Sequence, residues 1–62
     1  MVFKGSWCRD IFAIAKMLMS SNGVGTYAKY REAVQEAVFR GYRIEDAEHI
    51  GALATDLWRL FA

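Results

Sequence analysis

Sixty-two residues make one domain, and a chain this short buries so little surface that it needs good helix packing, a staple or a partner to stand. One cysteine rules out an internal disulfide and fits a reducing, cytoplasmic setting, while a formal charge of +1 supplies no long-range field to draw in nucleic acid or an anionic membrane. Hydrophobic residues make up 55% of the chain, above the usual globular share, so a single small core is not expected to hide them all.

The chain holds no proline, and five glycines punctuate it. Helix one is expected over 7–19. Ser6 is a suitable N-cap, and Trp7, Ile11, Ile14 and Leu18 keep the rhythm of a buried face. Cys8, Phe12, Ala15 and Met19 form a second apolar stripe beside it. A helix apolar over most of its circumference belongs either at the centre of a bundle or in an oligomer seam. Lys4, Arg9 and Lys16 flank those apolar residues as in helices that lie on membrane surfaces, although no stretch is long enough to span a bilayer. No targeting segment is read in the first residues.

The joint that follows, SSNGVGTYAKY (20–30), contains Gly23, Gly25 and Ala28 at the spacing of a dinucleotide-phosphate loop. That loop requires a strand before it, and here a helix precedes. The stretch therefore reads as a connection, with Asn22-Gly23 ending helix one through left-handed backbone and Thr26 capping helix two.

Helix two is expected over 27–40. Its apolar face is Tyr27, Tyr30, Val34, Ala37 and Val38, and its wet face includes Lys29, Arg31, Glu32, Gln35 and Glu36. Glu36 and Arg40 stand in the favourable i, i+4 order. Gly41 after Arg40 is a good helix stop.

Helix three is expected over 44–61. Its apolar face runs Ile44, Ala47, Ile50, Leu53 or Ala54, Leu57, Leu60 and Phe61. Glu45, Asp46 and Glu48 suit the positive end of the helix dipole, and Arg59 the negative end. Gly51, costly in mid-helix, marks the close approach of another helix. The expected fold is therefore an all-α, compact three-helix bundle forming one domain over 1–62, completed in one version by dimerisation.

The chemistry-bearing residues are few. His49 and Cys8 are each single and fall short of a structural zinc set, so no metal, cofactor or catalytic residue is assigned and enzymatic activity is not expected. Helices two and three with the Gly41 turn could form a DNA-binding helix-turn-helix, flanked by Arg40 and Arg43. The carboxylates of 45–48 would, however, face the phosphates. The stretch FRGYRIEDAEHI (39–50) resembles the loop and second helix of ubiquitin-associated domains through Gly41, Tyr42 and Ala47. Arg40 stands where those domains carry methionine, and helix three runs on unbroken. That resemblance implies ubiquitin contact through Gly41 and Tyr42.

The remaining signal is the surplus of large apolar residues, counted as Val2, Phe3, Trp7, Val24, Phe39, Tyr42, Trp58 and Phe61. Surplus apolar surface marks an interaction site, and Trp, Tyr and Arg are enriched at its energetic centres. The expected partner-binding residues are Phe39, Arg40, Tyr42, Arg43, Trp58 and Arg59. The expected function is a small non-enzymatic protein-interaction module that regulates or inhibits a larger protein partner, as small phage and mobile-element proteins of this size do to host machinery. A homodimer is the second arrangement, and DNA binding the alternative function.

Overall fold

A computed structural model describes residues 4–62, so the expectations for Val2 and Phe3 lie outside the described residues. The chain forms three helices in the order α1 (Trp7–Met19), α2 (Thr26–Phe39) and α3 (Ile44–Phe61), packed as a three-helix bundle. None is long and apolar enough to cross a membrane.

Each boundary has a local cause. α1 starts without a hydroxyl cap on Ser6: the residue is already helical, and the first amides take the carbonyls of Lys4 and Gly5 in a tight preceding turn. α1 also ends differently from expectation. Positive φ among the described residues occurs only at Gly25 and Gly41, so Asn22-Gly23 is not left-handed. The last carbonyls are met instead by serines, with the Ser20 hydroxyl donating to the Met17 carbonyl and the Ser21 hydroxyl within reach of Leu18 O. Gly25, at φ 90°, makes the turn and gives its carbonyl to the Lys29 amide, which draws Thr26 into the helix rather than leaving it as the cap. α2 consequently begins and ends one residue earlier than expected. Gly41, at φ 104°, closes it as anticipated, with Gly41 N–H donating to Val38 O and Tyr42 N–H to Ala37 O.

The core is built from small residues. Ile14, Leu18 and Ile50 are the largest fully buried side chains; around them lie Trp7, Ile11, Ala15, Ala33, Ala37, Ala47 and Ala54. α2 turns the stripe Lys29, Ala33, Ala37 inward. α3 turns in Ala47, Ile50, Gly51, Ala54 and Thr55, the last with its hydroxyl donating to the Gly51 carbonyl at 2.7 Å. Small side chains let helix axes approach closely. Close axes leave no room between them for the large residues on the flanks, so Tyr27, Val38, Ile44, Leu60 and Phe61, all expected on buried faces, end up substantially exposed. Trp7, read both as part of helix one's buried face and as part of the surplus, is buried in the core, its ring edge-on to Tyr42 at 6.4 Å.

Lys29 is the largest departure. Assigned to the wet face, it is only 7% exposed. Its ammonium donates to Leu18 O (2.8 Å), Ser21 O (3.1 Å) and Ser21 Oγ (2.6 Å), using all three protons. It also lies 5.4 Å from the centre of the Trp58 ring. A cation at the C-terminus of α1 meets both the orphan carbonyls and the negative end of the dipole. One buried lysine thereby ties all three helices at one end of the bundle.

Candidate functional site

Two clusters sit at opposite ends of the bundle. At the end formed by the start of α1 and the α2–α3 turn, Asp10 accepts from the Tyr42 hydroxyl and pairs with Arg40 Nη1 at 2.9 Å. Arg40 Nε reaches Glu36 at 3.0 Å, the expected i, i+4 pair. The hydrogen bond to Asp10, followed by burial and the Asp10 charge, pushes the Tyr42 phenol above its ordinary pKa. At the other end are Lys29, Ser21, Glu32 and Trp58. Fourteen residues of α3 separate Ile44 from Trp58, about 21 Å of helix rise.

The residues expected to form one interface are therefore divided. Tyr42 and Arg40 come together, but their polar groups are turned onto Asp10 and Glu36. Arg43 is exposed, with a loose 3.7 Å pairing to Glu45 that is worth little at such exposure. Trp58 is half-buried against the core at the far end, and Arg59 beside it is exposed. Phe39 alone of the six is a large apolar side chain left almost wholly in solvent, 86% exposed on the α1/α2 side.

What the sequence reading missed is where the rest of the apolar surface gathers. Between α1 and α3 an open groove of about 300 Å³ is lined by Cys8, Ile11, Phe12, Leu53, Leu57 and Leu60, with Asp56 at its edge. Phe12 is 53% and Leu60 80% exposed there. The signal was present: of the second stripe of α1, Cys8, Phe12 and Met19 are exposed and only Ala15 is buried. Cys8 is accordingly a free, exposed thiol rather than a packed one. Between α2 and α3 a second groove combines Tyr27, Tyr30, Val34, Val38 and Ile44 with Arg31, Gln35 and Glu48. The two tyrosine rings lie 6.4 Å apart, tilted by 36°.

The titratable groups of the first cluster engage one another. Among the described residues no group of three or more His, Cys, Asp and Glu side chains could hold a metal ion, and His49 is exposed on α3. The first turn of α3 presents Glu45 and Asp46, the wrong charge for a helix entering a DNA groove. Comparison with family models, with curated proteins and with solved structures finds no match. The resemblance to ubiquitin-associated domains thus rests on Gly41, Tyr42 and Ala47, with the Tyr42 hydroxyl committed to Asp10.

Proposed function

We propose that this chain is a non-enzymatic interaction module that regulates a larger protein by covering part of its surface. The observation that carries the reading is the set of nine large hydrophobic side chains exposed among the described residues: Phe12, Met19, Val24, Tyr27, Val38, Phe39, Ile44, Leu60 and Phe61. Apolar residues scattered singly on a surface need no explanation, but Tyr27, Val38 and Ile44 gather along the α2/α3 groove and Phe12 and Leu60 along the α1/α3 groove. The α2/α3 groove suits a protein partner better than a nucleic acid, since paired tyrosines and aliphatic side chains with a mixed polar rim are interface chemistry. Phe39, 86% exposed on the α1/α2 side of α2, is a separate apolar contact point outside that groove.

The test is site-specific photocrosslinking in cells that make the chain. A benzophenone side chain at Val38 or Phe39 is expected to give a discrete adduct with one larger protein. The same group at Glu45 or Arg59 is expected to give none. Adducts that are absent, or alike at all four positions, contradict the reading.

A further inference from the structure

The joint between α1 and α2 carries the chain's single asparagine, Asn22, followed directly by Gly23. Residues 21–24 belong to no helix, and Asn22 is exposed. Neither its side chain nor the Gly23 amide makes a hydrogen bond among the described residues. The amide nitrogen of Gly23 therefore has no bond to give up before it reacts, and glycine leaves the approach unblocked and the backbone angles free. The residues on either side of Asn22 are held to α2. Ser21 offers its carbonyl and hydroxyl oxygens to the Lys29 ammonium at 3.1 and 2.6 Å, and its hydroxyl donates to Glu32 Oε1 at 3.0 Å. The Glu32 carboxylate in turn covers Gly23 so closely that even a methyl group there would collide with it.

We propose that Asn22 is a self-modifying site, and that its conversion loosens the clasp between this joint and α2. The Gly23 nitrogen gives its proton to hydroxide and attacks Cγ of Asn22. The new C–N bond closes a cyclic imide, and the side-chain nitrogen leaves as ammonia. Water then opens the ring at either carbonyl. Opening at the side-chain carbonyl leaves aspartate at 22 on an ordinary backbone. Opening at the main-chain carbonyl leaves an isoaspartyl link, in which the chain runs through the side chain and is longer by one atom. Water is the only reactant consumed and nothing is oxidised. Either product lowers the formal charge of +1 by one. The isoaspartyl form has the larger effect, because it inserts its extra atom between Ser21 and Gly23, both held to α2. Lys29 bears the consequence, since two of its three acceptors are oxygens of Ser21. A buried ammonium deprived of acceptors is costly, so the fold loosens where it ties its three helices. This modification is independent of what the two grooves bind.

Ageing the purified chain in mildly alkaline buffer, followed by tryptic mapping, tests the proposal. Cleavage after Lys16 and Lys29 releases residues 17–29, which hold Asn22. That peptide is expected to give way to two isomers, each heavier by the exchange of NH for O, the isoaspartyl one marked by an isoaspartyl methyltransferase. Because Asn22 lies exposed in a surface joint, where opening costs least, the folded chain should react within about tenfold of the rate of the chain unfolded in guanidinium chloride. Asn22→Gln, which can close only a larger and slower ring, should stay unmodified over the same period. Chains enriched in the isoaspartyl form by ion exchange should unfold at lower denaturant concentration than fresh wild type. Fresh Asn22→Asp, with the charge but an ordinary backbone, should unfold with the wild type. Protection of the folded chain beyond that factor, or modification of Asn22→Gln at the wild-type rate, would overturn the proposal. So would an isoaspartyl chain as stable as the fresh one, or an Asn22→Asp chain as unstable as the isoaspartyl one.

Discussion

Gly51 of α3 lies so close to Val34 of α2 that a methyl group on it would stand 2.5 Å from a Val34 methyl carbon and 3.2 Å from the Val34 backbone nitrogen. This contact sets the α2–α3 separation, and with it the exposure of the side chains that flank the seam. Gly51→Ala gains up to about 1 kcal/mol in helix propensity, but overpacking a tight seam costs about 1–3 kcal/mol. The β-branched Val34 cannot swing aside, so the net effect is destabilising, and Gly51→Leu more so. Urea unfolding followed by helicity measures both. A stabilised Gly51→Ala would show that the helices do not approach this closely.

Lys29→Met keeps an unbranched apolar stem and removes the ammonium. Leu18 O then loses its charged donor at the end of α1, and the Trp58 ring loses its cation. Because hydrogen bonds to charged groups are worth about 1.5–3 kcal/mol, a loss of that order in unfolding free energy is expected. A surface lysine on a wet face, as the sequence pattern suggested, would change stability by less than about 0.5 kcal/mol on the same substitution.

The phenol of Tyr42 is held above its ordinary pKa by its hydrogen bond to Asp10 and by burial. Its protonated form is thus favoured in the folded chain. The stability this contributes is fully present below the unfolded tyrosine value, near pH ~10, and is lost as pH rises through the higher folded value. Thermal unfolding of the wild type should fall away in that alkaline range more steeply than that of Tyr42→Phe. At neutral pH the variant should lose about 1 kcal/mol, the worth of one hydrogen bond. Identical alkaline profiles would dissociate Tyr42 from Asp10.

Phe39→Ser and Leu60→Ser should leave the unfolding free energy within about 0.5 kcal/mol of the wild type, as substitutions at exposed positions do. If either destabilised the monomer strongly, that side chain would belong to the core and not to the surface available for binding.

The three helices were legible because glycine marks their ends and the Trp7, Ile11, Ile14, Leu18 stripe is unambiguous. The orientation of α2 was not. Periodicity weighs large residues, and it selected Tyr27, Tyr30, Val34, Ala37 and Val38, of which only Ala37 is buried, whereas the helix also buries Lys29 and Ala33. Alanine carries too little hydrophobic signal to outvote tyrosine, yet Ala33 and Ala37 are fully buried in the core beside the Gly51–Val34 contact. A lysine at the head of an alanine stripe gives no pattern signal of its role either, since that role depends on carbonyls eleven and eight residues away. The surplus of apolar side chains was legible as a quantity. Its location was not, because the position of a groove follows from helix separation, and that is decided by the small residues.

Cys8 offers the most direct test of whether apolar surface lies open on this chain, because the lone thiol lines the α1/α3 groove and is exposed. Its rate of reaction with a bulky maleimide in the folded chain should come close to that of the urea-unfolded chain. Strong protection in the folded chain would mean that the groove is closed, contradicting the account.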